Sequence, residues 1–218
     1  MTERENIMAR ISAALKAGAP RPLGTTDQGL PSAEEYRRVL PAVGASLPDH
    51  LALFAENAAE LRARFVVLAA PDALAAELRS LRDAEHWTRV ASHRGKLTDA
   101  ACAALGLPVL LTDDGYDKRE LEACQAGLTE CDALVAQTGS VLVSSRSAGG
   151  RALTVLPPHH VVLARRDQVV ADLPQAFALV RARYDPGYPS MISLITGPSR
   201  TGDIERILVL GAHGPKQL

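Results

Sequence analysis

The chain has 218 residues, of which 47% are hydrophobic and 22% are charged, and its formal net charge is −1 at pH 7. These values are typical of one globular domain with a large buried core, and they argue against a disordered or fibrous protein. A nearly neutral chain also lacks the basic face that binding to phosphate backbones requires. We therefore predict no nucleic-acid partner.

Targeting segments and metal motifs are not evident in the sequence. The N-terminus is charged, and no apolar run approaches the ~20 residues that cross a membrane. The three cysteines, Cys102, Cys124 and Cys131, are widely spaced and form no CxxC pair, so these thiols alone cannot build a zinc or iron–sulfur site. Adjacent histidines such as His159 and His160 point to opposite faces of a strand and chelate poorly. We predict a cytoplasmic protein that binds no metal.

The N-terminal part of the chain predicts a helical arm. Apolar residues at helical spacing indicate an amphipathic helix over 7–17, and a linker rich in proline and glycine follows it. A second helix is predicted from about residue 51 to 65, after another irregular stretch. We predict that residues 1–48 form the N-terminal helical arm and linker, and that residues 49–218 form a single α/β domain.

Strands and helices alternate through the rest of the chain. Predicted helices lie around 74–81, 97–105 and 173–184, and predicted strands lie at 65–69, 87–91, 109–111, 153–156, 161–164, 191–195 and 207–210. Apolar strands separated by amphipathic helices indicate a largely parallel sheet that is covered on both faces. The apolar runs 134–136 and 141–143 are too close for a crossover helix and predict an antiparallel hairpin. The expected fold class is a three-layer α/β domain with a mixed, mostly parallel sheet.

The segment from Gly197 to Glu205 is the densest candidate for a binding site. It follows an apolar strand, which is where α/β sheets place their ligands. Its glycines permit close backbone approach, and its hydroxyl groups and guanidinium suit a carboxylate or a phosphate. The candidate anion-binding residues are Gly197, Ser199, Arg200, Thr201 and Glu205. Asp203 is a candidate acid or base. The structural alternative is a capped turn whose hydroxyls satisfy backbone groups.

Two further segments carry polar groups next to predicted strands. In the segment Gly211–Pro215, His213 lies between small residues and is a candidate catalytic base, although a surface-loop histidine is the plainer interpretation. In the predicted hairpin, Thr138, Gly139 and Ser140 offer amides and hydroxyls to an anion. Spacing alone favours ordinary hairpin chemistry there.

Four segments, in this order, resemble the lactate-utilisation (LUD) domain family: Ala136–Val141, Leu156–His160, Gly197–Glu205 and Gly211–Pro215. The resemblance runs from about Leu51 onward and is to the branch of the family that lacks iron–sulfur motifs. It implies a fold similar to that of glucosamine-6-phosphate isomerase, ribose-5-phosphate isomerase and CoA-transferases. It also implies a part in the bacterial oxidation of L-lactate to pyruvate, alongside iron–sulfur subunits. The chain alone would then bind no cofactor, and the iron–sulfur clusters would belong to its partner subunits.

Three functional hypotheses follow from these residues and from the resemblance. In the first, the chain is an accessory or substrate-site subunit of a lactate-oxidising complex, with little or no activity alone. Ser199, Arg200 and Thr201 would hold L-lactate, another small carboxylate or a neighbouring subunit; Asp203 would fix Arg200, and His213 would take the hydroxyl proton. In the second, the chain is a non-catalytic assembly or regulatory module. In the third, it is a stand-alone enzyme acting on a sugar phosphate or a CoA ester.

Overall fold

The computed structural model describes residues 3–16, 41–201, 209–211 and 213–218. Helix α1 (Glu3–Lys16) confirms the first predicted helix and belongs to a compact unit of its own, whereas a larger unit begins at Leu40. The domain division at residue 48 stays a prediction. No helix in the described part of the chain is long and apolar enough to cross a membrane.

The larger unit alternates helices and short strands. Its helices are α2 (Leu47–Glu60), α3 (Pro71–Ala84), α4 (Lys96–Leu105), α5 (Lys118–Glu122), α6 (Arg151–Val155) and α7 (Leu173–Tyr184). Its strands are β1 (Val90–Ser92), β2 (Val109–Leu111), β3 (Ala126–Glu130), β4 (Ala133–Val135), β5 (Ser140–Ser144), β6 (His159–Leu163), β7 (Val169–Val170), β8 (Ile192–Ile195), β9 (Arg200–Thr201) and β10 (Val209–Leu210).

The strands form two four-stranded sheets and a short ribbon. The first sheet has the order β2-β1-β3-β6 and is parallel throughout. The second has the order β7-β4-β5-β8; β4 pairs with β7 in parallel, while β5 is antiparallel to both β4 and β8. The antiparallel pairing of β4 with β5 confirms the predicted hairpin. Strands β9 and β10 form the antiparallel ribbon.

Helices cover both faces of each sheet. Val90 packs with Leu78 of α3 and Leu105 of α4, whereas its neighbour Ala91 packs with Leu121 of α5 and Leu153 of α6. Adjacent strand residues face opposite layers because side chains alternate along a strand. The second sheet lies between α2 on one face and α7 on the other. The predicted three-layer α/β architecture with a mostly parallel sheet is therefore confirmed.

Local sequence signals set several helix ends. Ser46 and Asp49 form a reciprocal capping box at the start of α2, and the side chains of Asp117 and Asp172 accept backbone N–H groups at the starts of α5 and α7. These bonds satisfy donors that the first helical turn leaves free. Helix α4 ends at Gly106, whose φ of 64° is the left-handed conformation that glycine adopts without strain.

Two predicted strands are wrong. Residues 65–69 pair with no strand among the described residues, and Val66 and Val67 are 43% and 47% exposed. Residues 153–156 belong largely to α6, which crosses β3 so closely that a Cβ on Gly127 would lie 2.6 Å from the Leu153 carbonyl oxygen. Short apolar runs do not separate strands from helices by periodicity, which accounts for both errors.

The buried carboxylate of Asp132 lies where the chain leaves β3 of the first sheet for β4 of the second. Asp132 is 1% exposed. Its Oδ1 accepts hydrogen bonds from Arg183 Nη1 at 2.7 Å and from the Tyr184 hydroxyl at 2.6 Å, and its Oδ2 accepts one from the Ser147 hydroxyl at 2.8 Å. Burial and the bond to Asp132 raise the pKa of the Tyr184 hydroxyl. One carboxylate thus joins the last turn of α7 and the loop after β5 to the junction between the sheets.

Replacing Asp132 with alanine should destabilise the fold strongly. Asp132→Ala leaves three donors without their common acceptor, so we expect the free energy of unfolding to fall by about 2–4 kcal/mol in urea denaturation. Asp114→Ala is the matched control, because Asp114 also bonds an arginine, Arg94, but on the exposed surface. The control should leave the free energy of unfolding nearly unchanged. Equal effects of the two substitutions would contradict this role of Asp132.

His160 of β6 is held neutral by burial. Its Nε2 lies 2.9 Å from the Thr129 hydroxyl, and its Nδ1 has no hydrogen-bond partner among the described atoms. Burial lowers the pKa of His160 to about 4. The unfolded chain therefore takes up a proton on this side chain at a higher pH than the folded protein does.

This difference predicts a loss of stability in acid. As the pH falls from 6.5 to about 4, the unfolded state is protonated first, and we expect His160 alone to remove on the order of 3 kcal/mol from the free energy of unfolding. Above pH 6.5 the contribution is constant. Urea titrations at several pH values should show a smaller pH dependence for His160→Gln than for the exposed-site control His213→Gln. An unchanged slope in His160→Gln would rule out this linkage.

Candidate functional site

The register of β5 against β8 brings two of the predicted segments together. Val141 lies opposite Ile195, which places Ser140 next to Thr196, and their hydroxyl oxygens are 2.8 Å apart. The Thr138 hydroxyl donates to Ser140 Oγ, also at 2.8 Å. The three hydroxyls form a chain that runs from Thr138 through the buried Ser140 to the exposed Thr196.

Two glycines let these segments approach the end of α2. Gly139 and Gly197 have φ values of 62° and 83°. A Cβ on Gly139 would lie 2.8 Å from the Cβ of Asn57, and a Cβ on Gly197 would lie 3.1 Å from that of Leu61. The Asn57 amide also donates to the Ala136 carbonyl at 2.8 Å. Both positions favour glycine for two reasons: a Cβ would come too close to Asn57 or Leu61, and the backbone has a positive φ.

The histidine loop runs beside the segment around Ser199. The Ser199 N–H donates to the Pro215 carbonyl at 2.9 Å, and the Ser199 carbonyl accepts from the Gly211 N–H at 3.0 Å. Arg200 pairs with Leu210 across the ribbon of β9 and β10. The exposed Arg200 guanidinium donates through Nη2 to the carbonyl of Leu61, and the His213 side chain is exposed.

These contacts define a loop cluster, which comprises Thr138–Ser140, Thr196–Arg200, Gly211 and Gly214. His213 directly precedes Gly214 along the chain. Of the predicted site residues, the structure brings six into one region, where hydroxyls and a guanidinium suit a carboxylate: Thr138, Gly139, Ser140, Gly197, Ser199 and Arg200. Thr201 is described only as backbone of β9. Asp203 and Glu205 lie outside the described residues, so their roles stay predictions.

Gln137 directly precedes Thr138 of the loop cluster. Its backbone N–H donates to the Ala171 carbonyl at 2.9 Å, and its side-chain amide donates to the Pro41 carbonyl, also at 2.9 Å. A carboxylate has no proton to donate to a carbonyl oxygen and would face it unfavourably. The glutamine therefore matches its surroundings in this chain.

A second polar region, which the sequence did not reveal, lies at the carboxyl ends of β1 and β3. Glu130 ends β3, and its Oε1 accepts the Leu97 N–H at 2.7 Å in the first turn of α4. A carboxylate is stabilised there by the free N–H groups and the dipole of the helix. This edge is also where parallel sheets bind anionic ligands. In this protein the Glu130 carboxylate itself occupies the N-terminal end of α4.

His93 is 5% exposed and lies beside Glu130. Its Nδ1 is 3.0 Å from the Arg94 carbonyl, and its Nε2 is 3.1 Å from the Glu130 N–H. Because a carbonyl only accepts and an amide N–H only donates, His93 carries its proton on Nδ1 and is neutral. The His93 side chain therefore links the backbone just after β1 to the backbone at the end of β3.

Metal-ligating groups do not gather in the described ranges. No group of three or more histidine, cysteine, aspartate or glutamate side chains there could hold a metal ion. Burial raises the pKa of the Cys131 thiol to about 12, which keeps it protonated at neutral pH.

A paired glycine experiment tests the close packing of the loop cluster. Gly139 and Gly106 have nearly equal φ values, but a Cβ on Gly106 would meet no atom within 4 Å. Gly106→Ala should cost about 1 kcal/mol in the free energy of unfolding for its backbone conformation alone. Gly139→Ala should cost about 1–3 kcal/mol more because its Cβ overlaps Asn57. Equal costs in urea denaturation would show that the loop does not depend on this contact.

Comparison with known proteins agrees with the resemblance of the loop segments. The LUD domain family matches residues 51–218. Similar curated proteins include the "Lactate utilization protein C" of Deinococcus radiodurans, 33% identical over 52% of this chain and 53% of that protein. Those of Geobacillus kaustophilus and Bacillus subtilis are 38% and 33% identical, over 43% and 44% of this chain and 40% and 41% of theirs. The matches thus span about half or less of each relative's length.

A solved structure supports the fold. The crystal structure of a DUF162 family protein from Deinococcus radiodurans superposes with a TM-score of 0.61 at 24% sequence identity, covering 80% of this chain and 96% of that one. The family match covers the larger unit of the fold almost entirely, including every described segment of the loop cluster. The chain belongs to the LUD domain family.

Proposed function

We propose that this chain is a subunit of a bacterial lactate-utilisation system, and that its loop cluster is the surface through which it takes part. The observation that carries the proposal is the joining of the family's characteristic segments into one region, at Ser140, Thr196, Ser199 and Arg200. The similarity to proteins named for lactate utilisation supports the choice of substrate class. A cytoplasmic location and iron–sulfur partner subunits are parts of the same proposal.

The loop cluster offers groups that suit a 2-hydroxy acid. The bond from Arg200 to the Leu61 carbonyl holds the guanidinium near Gly197, the residue after Thr196, whose hydroxyl is exposed. A guanidinium and hydroxyls bind a carboxylate through charge-assisted hydrogen bonds. Oxidation of L-lactate to pyruvate releases two electrons and two protons. In this proposal His213 accepts the hydroxyl proton, and the electrons pass with the second proton to the iron–sulfur partner subunits.

A non-catalytic assembly role is the second candidate, and one observation favours it. The backbone groups of Ser199 are already bonded to Pro215 and Gly211, and Arg200 bonds Leu61. Hydrogen bonds within the protein therefore hold this segment in place. A braced, exposed loop can dock a neighbouring subunit without touching lactate. Both candidates place Arg200 on the working surface, but only the first requires binding of a small carboxylate.

Complementation of a deletion strain tests the proposal. The strain that lacks this chain should fail to grow or to consume oxygen on L-lactate, and wild-type protein should restore both. Arg200→Ala should reduce the restored oxygen uptake at least tenfold. Arg79→Ala is the matched control, because the exposed Arg79 guanidinium also donates to a backbone carbonyl, that of Ala75, but lies on α3. The control should complement like wild type.

The outcomes separate the hypotheses. Normal growth of the deletion strain on L-lactate, with no second copy of the gene, would overturn the lactate role. If Arg200→Ala fails to complement, calorimetric titration of the purified complex with L-lactate distinguishes the two candidates. Loss of lactate binding with subunits still assembled supports the carboxylate site, whereas loss of assembly supports the docking role.

A further inference from the structure

The hydroxyl chain of Thr138, Ser140 and Thr196 has an order of donors and acceptors that follows from its geometry. In the first bond, Thr138 is the donor and Ser140 Oγ is the acceptor, at 2.8 Å. The second bond joins Ser140 Oγ to Thr196 Oγ1, also at 2.8 Å, and its geometry is compatible with either direction. A hydroxyl has one proton to donate and can accept at the same time. The first bond and the surroundings of Ser140 therefore decide the direction of the second.

Burial leaves the Ser140 proton one acceptor. Ser140 is 2% exposed, and among the described residues its hydroxyl bonds only the hydroxyls of Thr138 and Thr196. If Thr196 donated inward, Ser140 Oγ would accept two protons and its own proton would be left unbonded in the core, which is costly. The Ser140 hydroxyl therefore donates to Thr196 Oγ1, and the protons of the chain all point outward.

Thr196 is the outer end of this chain. Its oxygen accepts the Ser140 proton, and the residue is exposed. No acceptor for the Thr196 proton is present in the part of the chain that the structure describes. Because hydrogen bonds in a chain polarise one another, a hydroxyl that accepts a bond donates more strongly. Thr196 therefore presents a strengthened O–H donor at the surface.

The positive charge beside Thr196 suits a ligand that accepts hydrogen bonds. Gly197 follows Thr196, and Arg200 Nη2 lies 3.7 Å from the place that a Cβ on Gly197 would take. One N–H of this guanidinium bonds the Leu61 carbonyl. A guanidinium has five N–H donors and no acceptor, whereas a carboxylate has acceptors only. Two neighbouring groups thus offer protons, and a carboxylate can use both kinds.

We propose that Thr196 donates its outward proton to the carboxylate of the ligand, and that the buried Ser140 acts through Thr196 rather than on the ligand. This inference rests on the carboxylate site of the proposed function and names a residue that determines its preference for carboxylates. The sequence pattern singles out Ser140 as a direct anion-binding group and does not single out Thr196. Ser140 is instead a positioning residue, because it orders the proton of Thr196.

Proton NMR of the full 218-residue chain tests the donor order without a ligand. The buried Ser140 hydroxyl proton should exchange slowly with water and should show a nuclear Overhauser effect to the Thr196 methyl group. A stronger effect to the Thr138 methyl group would show the reverse order and overturn the inference, while the proposed lactate role would stand. Exchange too fast for the proton to be observed would show that the hydroxyl chain is not held.

Calorimetric titration with L-lactate and with its neutral amide, L-lactamide, tests the ligand contact. The full chain is titrated alone and with its co-purified partners. Wild type should bind L-lactate about tenfold or more tightly than L-lactamide, because charge-assisted bonds form only to the carboxylate. Thr196→Val keeps the shape of the side chain and removes the proton. It should weaken lactate binding about tenfold, the loss expected for one hydrogen bond to a charged group.

Two variants control for side effects of the Thr196 substitution. Thr196→Ser keeps the hydroxyl and should bind L-lactate within about twofold of wild type. Thr88→Val removes another exposed threonine hydroxyl, which bonds Gln125 and lies just before β1 of the first sheet. It should leave lactate affinity unchanged.

A double-mutant cycle separates the positioning role of Ser140 from a structural one. Ser140→Ala should weaken lactate binding about threefold in the wild-type background, because the Thr196 hydroxyl loses the bond that polarises it. In the Thr196→Val background the same substitution should have no further effect. An equal loss in both backgrounds would mean that Ser140 only supports the loop, and would overturn its role here.

The remaining outcomes distinguish this inference from the proposed function. If wild type binds L-lactate and Thr196→Val binds it equally well, the inference fails and the carboxylate site rests on Arg200. If neither form of the protein binds L-lactate while the deletion strain still cannot grow on it, the inference fails in favour of the docking role. Normal growth of the deletion strain would overturn the proposed function itself.

Discussion

The two sheets of this protein meet at one buried carboxylate. Asp132 follows β3 and precedes β4, so its position is fixed by both sheets, and its oxygens bond to Arg183, Tyr184 and Ser147. The loop after β5 and the end of α7 take their places from these bonds. Strand β5, which precedes the Ser147 loop, pairs with β8 and thereby places Ser140 next to Thr196.

The structure also explains why the candidate site lies in the second sheet rather than the first. The carboxyl edge of a parallel sheet is the usual ligand position in α/β proteins. Here Glu130 fills the end of α4, and His93 ties Glu130 to β1 through backbone groups. The loop cluster, in contrast, presents an exposed guanidinium and hydroxyl on braced loops. The polar groups at this edge of the first sheet are already bonded within the protein. Those of the loop cluster remain available for a carboxylate or a partner.

Sequence predicted those features that depend on local signals. The hairpin follows from a short spacing between apolar runs, and the end of α4 follows from Gly106. The central strand β3 was missed because Gly127 and Thr129 interrupt its apolar pattern. With β3 missed, the position of Glu130 at a strand end could not be predicted. The bonds of His93 and Asp132 join residues distant in sequence, so they became visible only in the folded chain.

One contact joins the separate segments of the loop cluster. Leu61, just beyond α2, is next to Gly139 and to Gly197, and its carbonyl accepts the Arg200 guanidinium. A change in the size or position of Leu61 would therefore disturb segments that are about 60 residues apart along the chain. Among homologous sequences, substitutions at this position should covary with substitutions in both loops. The end of α2 would then evolve together with the loop cluster.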